Sequence, residues 1–277
     1  MTLPPAPTAT LNNGVEIPQL GLGTWPMNDS ETADAVASAI EAGYRLVDTA
    51  ENYGNETGVG EGIRRSGVPR EETFITSKLN KKWHSYDGVQ RAFDASAARL
   101  GVEVIDLYLI HWPNPAQGGY VDAFRGLRAL QTSGRVRAIG VSNFLEHHLQ
   151  RLIDEVAIPQ VNQTQLDPRH GRAALRALHR EHGVLTEAWS PLGRDGNLLT
   201  DPVITQLAER HGRTPGQIVL RWHTQNGIVP TPKSGNPTRQ RENIEIFDFT
   251  LTPDELDRLS ALDVGEPLRY DSEVFGH

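Results

Sequence analysis

Strand-like and helix-like stretches alternate along almost the whole chain, and this alternation restricts the possible folds more than any other feature. Eight short apolar segments are typical of strands, at 20–23, 46–48, 74–78, 105–111, 136–141, 160–163, 184–188 and 228–231. Apolar residues at helical spacing lie between and after them, at 30–42, 56–66, 87–100, 119–133, 145–155, 171–182, 201–211, 215–226 and 253–262. Repeated strand–helix units predict a parallel sheet. Eight of them favour closure into an α/β barrel of the (β/α)8, or TIM, type.

The two ends of the chain differ from this pattern. Residues 1–10 are rich in Pro, Ala and Thr, and we predict a flexible tail there, ahead of a single domain at 11–277. An Asn-Gly pair within 11–17 predicts an N-terminal β-hairpin. Helical periodicity stops before residue 263, so we expect the segment 263–277 to form a C-terminal loop over one mouth of the barrel.

Composition limits the classes of partner. With 38% hydrophobic and 22% charged residues, the 277-residue chain has enough apolar side chains for a large core. The formal net charge of -8 argues against nucleic acid or an anionic membrane as the main partner. There is no cysteine, which excludes disulfides and thiolate metal ligands. A secretory signal pattern and a membrane-spanning apolar run are also missing, so we expect a cytoplasmic protein, and a monomer.

Three successive predicted strands end on ionisable side chains. Asp48, Lys78 and His111 terminate them, and Tyr53 follows the first of them by five positions. The carboxyl ends of the strands in a parallel barrel converge on one mouth, where catalytic groups lie. We therefore expect these four side chains to meet there.

Together, these four residues can deliver a proton to a substrate oxygen. A phenol titrates at about pH 10, and an adjacent ammonium lowers its pKa by favouring the phenolate. We expect Lys78 to act in this way on Tyr53, Asp48 to keep Lys78 charged, and His111 to hydrogen-bond the substrate oxygen or share the proton. Protonation of an oxygen as negative charge develops on it is the chemistry of carbonyl reduction, with the hydride coming from elsewhere. Each residue alone also has a purely structural explanation, and only their joint placement favours catalysis.

Several short segments resemble signatures of the aldo-keto reductase superfamily. They are Gly21–Trp25, Val47–Ala50, Tyr53–Glu56, Ser77–Leu79, Asp106–Pro113, Gly140–Phe144, Val161–Gln163 and Pro232–Ser234. The resemblance covers roughly residues 11–265 and is closest to the bacterial 2,5-diketo-gluconate reductase-like branch. It implies a (β/α)8 barrel that reduces aldehydes and ketones with NADPH, using Asp48, Tyr53, Lys78 and His111, with Tyr53 as the proton donor. Asn80 departs from the pattern at a position that bears on substrate preference.

The prediction of NADPH also has support from the residues themselves. Lys233, Ser234, Arg239 and Arg241 follow the eighth predicted strand, where barrels commonly bind phosphate. Lys and Arg suit the 2′-phosphate of NADPH, although a solvated, charged helix start is the structural alternative. By resemblance, the adenosine end of the cofactor contacts Lys233, Ser234, Arg239 and Asn243, and the nicotinamide end contacts Ser142, Asn143, Gln163 and Trp189. Ser190 and Leu192 are also predicted to bind the cofactor.

The remaining expectations concern the substrate, metals and rival functions. Trp25, Trp83 and Trp112 lie in or beside strand-end loops and are predicted to line an apolar pocket for a small carbonyl substrate. The histidine pairs at 147–148 and 179/182 lack metal-ligand spacing, so we predict no metal site and surface positions for them. Two other functions stay open. One is a regulatory subunit that binds the nicotinamide cofactor with little turnover, and the other is an aldolase-type barrel with Lys78 as Schiff-base nucleophile.

Overall fold

The computed structural model describes residues 5–194, 196–265 and 267–277. The strands in these residues are β1 Thr8–Thr10, β2 Glu16–Pro18, β3 Gly21–Gly23, β4 Leu46–Asp48, β5 Phe74–Leu79, β6 Ile105–Ile110, β7 Val136–Ser142, β8 Val161–Gln165, β9 Leu185–Trp189 and β10 Ile228–Pro230. β3 to β10 form one parallel sheet in sequence order. Its two edges meet where Gly23 makes a parallel bridge with Lys233 just beyond β10, and the Gly23 N–H donates to the Pro232 carbonyl oxygen at 3.2 Å. The predicted (β/α)8 barrel is confirmed.

Helices follow the barrel strands as the periodicity predicts. They are α1 Asp29–Glu41, α2 Glu56–Ser66, α3 Tyr86–Leu100, α4 Tyr120–Thr132, α5 Glu146–Glu155, α6 Ala173–His182, α7 Pro202–His211, α8 Pro215–Gln225, α9 Pro237–Ile244 and α10 Pro253–Ser260. Thr214 and Thr252 cap α8 and α10 through capping boxes with Gln217 and Glu255. The sequence analysis did not predict α9. This helix buries only three of its residues, so it carries no apolar stripe of the usual width.

The N-terminal hairpin forms, but its first strand lies ahead of the predicted segment 11–17. β1 pairs antiparallel with β2, with Ala9 opposite Ile17. The turn between them is closed by a hydrogen bond from the Leu11 N–H to the Val15 carbonyl oxygen at 2.9 Å. β1 falls within the predicted flexible tail. The prediction of flexibility was wrong for residues 8–10, because their backbone pairs with β2. Residues 1–4 of the predicted tail lie outside the described residues.

The hairpin closes the amino-terminal end of the barrel. Leu11 and Ile17 pack in one buried cluster with Leu46, Phe74 and Val161, which are the first residues of β4, β5 and β8. Burial of these apolar side chains stabilises that end as a core. The carboxyl-terminal ends of the strands lie at the opposite end of the barrel.

Two of the four histidines that we expected at the surface are buried. His148 and His179 are each 1% exposed. The ring nitrogens of His179 lie 3.0 Å from Asn162 Nδ2 and 2.8 Å from Thr186 Oγ1, so polar partners on β8 and β9 compensate its burial. The surface prediction was therefore wrong for these two residues. Within the described residues, no helix is both long enough and apolar enough to cross a membrane.

Candidate active site

A cavity of about 480 Å³ lies at the carboxyl-terminal ends of the barrel strands, and we call it the mouth cavity. Asp48, Tyr53 and His111 line it. Lys78 lies beneath, with no exposed surface. The structure thus brings together the four side chains that the strand ends predicted.

Asp48 and Lys78 form a buried ion pair at the floor of the mouth cavity. They come from adjacent parallel strands, β4 and β5. Lys78 Nζ donates to the two Asp48 carboxylate oxygens at 2.7 and 2.8 Å and to the Thr49 carbonyl oxygen at 2.9 Å. Burial acts to lower the pKa of the Lys78 ammonium, but Asp48 and Tyr53 outweigh it and the pKa is raised above its ordinary value. Lys78 is therefore charged at neutral pH.

Tyr53 ends a short 3-10 turn that follows β4, and Gly54 at φ 67° permits the left-handed step that leads into α2. The centre of the Tyr53 ring lies 5.2 Å from Lys78 Nζ and 5.6 Å from the centre of the His111 ring. Burial raises the pKa of the Tyr53 hydroxyl, and the Lys78 charge opposes this effect without reversing it. The expected lowering of this pKa was therefore wrong in direction. Tyr53 is protonated at neutral pH, as a proton donor must be.

His111 follows β6, and its imidazole is neutral. Burial, the Lys78 charge and His277 hold the pKa of His111 well below its ordinary value. The His277 ring belongs to the C-terminal segment, and its centre lies 4.9 Å from that of the His111 ring. A neutral imidazole carries one N–H donor and one acceptor nitrogen, so His111 can bind a carbonyl oxygen without adding charge to the site.

A chain of hydrogen bonds fixes three further polar side chains that line the mouth cavity. Asn143 Nδ2 donates to the His111 carbonyl oxygen at 3.1 Å, and Asn143 Oδ1 accepts from Trp189 Nε1 at 2.8 Å. Gln163 Nε2 donates to Asp48 Oδ1 at 2.9 Å. Asn143 lies just after β7, Gln163 within β8 and Trp189 at the end of β9. The Asn143 N–H donates to the Gln163 carbonyl oxygen at 2.7 Å, so these bonds form one network with Asp48 at the floor of the cavity.

The backbone at two of these strand ends adopts a conformation that non-glycine residues rarely take. Asn143 has φ 64° and Ser190 has φ 50°, and both line the mouth cavity, as does Ser142. Such residues cost energy and persist where the surrounding structure fixes them, often at functional sites. Leu192, the other residue predicted on this loop, packs against the core and does not line the cavity.

Glu187 on β9 is a buried acid that the sequence analysis missed. It has no exposed surface, and neither carboxylate oxygen makes a hydrogen bond of normal geometry within the described residues. Burial and the Asp48 charge raise the pKa of Glu187 to about 8, against the opposing effects of Lys78 and Gln163. Its carboxyl group is therefore mostly protonated at neutral pH, and Asp48 alone balances the Lys78 charge.

The predicted adenosine-end residues lie in two places. Lys233 lines the mouth cavity, whereas Ser234, Arg239 and Asn243 do not. Ser234 Oγ accepts from the Asn236 N–H at 3.2 Å, and Asn236 caps α9, which carries Arg239 and Asn243. Lys233 thus lies between the cavity and the segment 234–243, which contains the other predicted residues.

Two of the three predicted pocket tryptophans line the mouth cavity. Trp25 is 51% exposed and Trp112 is buried. Trp83 does not line the cavity, and that part of the prediction was wrong. Its indole N–H donates to the Glu51 carboxylate oxygens at 2.9 and 3.1 Å, which holds the ring outside the cavity.

The C-terminal segment supplies the outer wall of the mouth cavity. Tyr270, Phe275 and His277 line it. Tyr270 and Phe275 stack with ring centres 4.1 Å apart, and Phe275 meets Trp112 edge-on at 4.7 Å. Lys81 Nζ donates to a carbonyl oxygen of the segment at 2.8 Å. The expected loop over the barrel mouth is present.

Sequence analysis missed several lining residues, among them Arg194 and Asn52. A usable signal existed for Arg194, because it follows the end of β9 by five positions, as Tyr53 follows the end of β4. Asn80 also lines the cavity and donates to Asn52 Oδ1 at 2.6 Å, which agrees with its expected influence on substrate preference.

Among the described residues, three side chains lie close enough together to hold a metal ion, but the ring nitrogen that one of them would offer carries a proton. They are His147, His148 and Glu273. The Leu145 N–H donates to His148 Nδ1 at 3.2 Å, so the neutral ring carries its proton on Nε2, the nitrogen that faces Glu273 at 3.5 Å. A protonated nitrogen cannot bind a cation. With His147 Nε2 at 3.0 Å from Glu273, the group links the C-terminal segment to α5.

Comparison with known proteins identifies the family. A family model described as the Aldo/keto reductase family matches residues 19–264. The chain belongs to the aldo/keto reductase family. This aldo/keto reductase is 48% identical over 264 residues to 2,5-diketo-D-gluconic acid reductase B of Corynebacterium sp., with 95% of each chain covered. It is also 48% identical to morphine 6-dehydrogenase of Pseudomonas putida, over 94% of this chain and 92% of that one.

Solved structures similar to this aldo/keto reductase share its whole fold. An aldo/keto reductase from Brucella melitensis is 45% identical, with a TM-score of 0.90 over 93% of this chain and all of that one. A mutant of Gox0644, solved in complex with NADPH, is 43% identical, with a TM-score of 0.92 and 97% of each chain covered. The family predicted from the short motifs is therefore confirmed.

Proposed function

We propose that this aldo/keto reductase reduces aldehydes and ketones to alcohols with NADPH, and that Tyr53 donates the proton. The observation that carries the proposal is the meeting of Tyr53 with the Asp48–Lys78 ion pair and a neutral His111 at the base of one cavity. NADPH-dependent reduction also agrees with the NADPH complex of the similar Gox0644 mutant.

In the proposed reaction, each side chain acts on the substrate oxygen or on its neighbour. NADPH, when bound, supplies a hydride to the carbonyl carbon. Tyr53 gives its proton to the carbonyl oxygen, and the phenolate that remains is stabilised by the Lys78 ammonium. Asp48 keeps Lys78 charged and oriented. His111 donates a hydrogen bond that holds the carbonyl oxygen near Tyr53.

The residues present suit a nicotinamide dinucleotide phosphate. Asn143, just after β7, and Gln163, within β8, offer amide groups, and the Trp189 indole offers a flat apolar face in the same cavity. Lys233 connects this cavity with the α9 start, where Arg239 is exposed to solvent. We propose that these two cations bind the 2′-phosphate, because Lys and Arg form charge-assisted hydrogen bonds with phosphate.

The two rival functions have less support. A Schiff-base nucleophile must be a free amine, whereas Lys78 has a raised pKa and donates to three acceptors. No observation favours a regulatory subunit, since Tyr53 is protonated and the cavity reaches it.

The test is a substrate panel assayed with NADPH and with NADH, following loss of the reduced cofactor. We expect aldehyde turnover with NADPH on the order of 1 to 10 per second, as is typical of enzymes, and weaker use of NADH. Binding of NADPH without turnover of any carbonyl compound would favour the regulatory function instead.

A further inference from the structure

Tyr53 lies on a turn that is too short to fix its own position. The turn spans Glu51–Tyr53, and we call it the Tyr53 turn. Its backbone bonds run from the Tyr53 N–H to the Ala50 carbonyl oxygen at 3.1 Å and from the Gly54 N–H to the Glu51 carbonyl oxygen at 3.3 Å. Hydrogen bonds in a 3-10 turn have poor geometry, so the position of the Tyr53 ring depends on contacts from outside the turn.

The Glu51 carboxylate ties the Tyr53 turn to the loop that follows β5. It accepts from the Trp83 indole N–H at 2.9 and 3.1 Å and from the Asn80 N–H at 3.3 Å, and it lies 2.7 Å from Lys82 Nζ. The Glu51 side chain is only 11% exposed. Burial acts to raise the pKa of Glu51, but the hydrogen bonds that it accepts outweigh burial and lower the pKa. Glu51 is therefore a carboxylate at neutral pH.

Asn52 makes a second link beside the first. Its Oδ1 accepts from Asn80 Nδ2 at 2.6 Å, and Asn80 Oδ1 accepts from the Lys82 N–H at 2.9 Å at the start of another 3-10 turn, Lys81–Trp83. Two consecutive residues of the Tyr53 turn, immediately ahead of Tyr53, are thus bound to the same loop.

Trp83 is the fixed end of the first link. Its ring packs against the main buried cluster of the core, which restricts its movement. A hydrogen bond to a carboxylate is shorter and stronger than a neutral one, so the Trp83 N–H orients the Glu51 side chain. The Lys82 contact adds little, because Lys82 is 58% exposed and exposed ion pairs contribute little to stability.

We propose that Glu51 is a positioning residue that holds Tyr53 in place for proton transfer, with Trp83 as its anchor. The inference rests on the proposed function, because it concerns the step that Tyr53 performs. Glu51 does not line the mouth cavity, so it acts through Tyr53 and not on the substrate. The Thr49 hydroxyl donates to Asn55 Oδ1 at 2.8 Å and closes the segment around the turn, and Glu51 fixes the turn within it.

The test measures kcat and KM, with NADPH, for an aldehyde that wild type reduces, in three variants. Glu51→Ala removes the carboxylate. Glu51→Gln keeps one side-chain oxygen, which can accept from Trp83 and Asn80 as Glu51 Oε2 does. Trp83→Phe keeps a ring but removes the indole N–H. Glu61→Ala is the matched control, because Glu61 lies on α2 and pairs with the exposed Arg64.

We expect Glu51→Ala to lower kcat by at least about tenfold and to change KM and NADPH affinity by less than about twofold, because the proton donor is displaced while the binding surfaces stay intact. Glu51→Gln should recover most of this loss, Trp83→Phe should show a smaller loss, and Glu61→Ala should match wild type. The inference is overturned by a wild-type kcat in Glu51→Ala, or by a Glu51→Gln variant that is as slow as Glu51→Ala.

A double-mutant cycle shows whether Glu51 acts through Tyr53. Glu51→Ala should have little further effect in Tyr53→Phe, because the proton donor is already absent. The full additional loss in the double variant refutes the inference, even where Tyr53→Phe confirms the proposed function.

Backbone hydrogen exchange at residues 50–54 tests the positioning without any turnover. Exchange that is faster in Glu51→Ala than in wild type and Glu51→Gln supports the inference even if the proposed reaction fails. Unchanged exchange in Glu51→Ala refutes it even if the reaction is confirmed.

Discussion

At the scale of single residues, the same buried floor has opposite effects on two ionisable side chains. Lys78 keeps its charge because Asp48 lies within hydrogen-bonding distance. Glu187 takes up a proton, because it is buried and Asp48 already balances the Lys78 ammonium. The pairing of Asp48 with Lys78 could be predicted, since each lies at or near a strand end. The state of Glu187 could not, because it depends on burial and on neighbours from other strands.

Stability should therefore depend on the protonation of Glu187. Its pKa rises from the ordinary value of 4.5 to about 8 on folding, so the folded state holds this proton more tightly than the unfolded state does. The associated stability is present below pH 4.5 and is lost as the pH rises to about 8. Relative to Glu187→Gln, which cannot titrate, wild type should lose up to about 1.4 kcal/mol of unfolding free energy per pH unit in this window.

Urea unfolding of both proteins at several pH values measures this difference. Glu181→Gln, a change of an exposed acid on α6, is the control and should give a curve parallel to wild type. A Glu187→Gln curve that is also parallel to wild type from pH 5 to about pH 8 would exclude a raised pKa for this residue.

At the scale of elements, hydrophobic periodicity predicts most strands and helices of the barrel. The predictions fail where contacts between distant segments determine the position of a residue or strand. β1 has too few residues for a period of its own and forms only because β2 pairs with it. Trp83 and Trp112 both lie in or beside strand-end loops, but a hydrogen bond to Glu51 holds Trp83 outside the cavity. The C-terminal segment has no period at all. Its position depends on ring contacts with Trp112 and on the link from Glu273 to α5.

Removal of residues 268–277 should change substrate preference and have little effect on the stability of the barrel. Tyr270 and Phe275 form the outer wall of the mouth cavity, whereas the buried clusters of the core lie within and around the barrel. We expect the ratio of kcat/KM for bulky ketones over small aldehydes to rise, with little change in Tm or NADPH affinity. Trp112, now 4% exposed, should become accessible, and its fluorescence should shift to the red.

Val274→Ala is the control within the same segment, since Val274 is 84% exposed and should tolerate the change. If the truncated protein keeps the wild-type profile across both substrate groups, the segment is not a wall of the working cavity.

At the scale of the whole molecule, the two ends of the barrel differ: one end is a closed apolar core, and the other holds the candidate active site. The hairpin closes the amino-terminal end with Leu11 and Ile17, and the mouth cavity occupies the carboxyl-terminal end. This division could be predicted, because parallel strands bring their carboxyl ends to one side. The position of Arg194 could not, because it depends on contacts with rings from three segments of the chain.

The central claim is that the cavity performs a proton-coupled reduction through Tyr53. Tyr53→Phe removes the proton donor and keeps the ring that contacts His111. Tyr86→Phe, an exposed tyrosine on α3, is the matched control.

The measurement is the rate of NADPH oxidation with a saturating aldehyde, together with NADPH binding by fluorescence titration. The account predicts that Tyr53→Phe binds NADPH like wild type and turns over at least about 100-fold more slowly, the lower end for general acid catalysis, while Tyr86→Phe matches wild type in both. Turnover close to wild type in Tyr53→Phe would contradict the account.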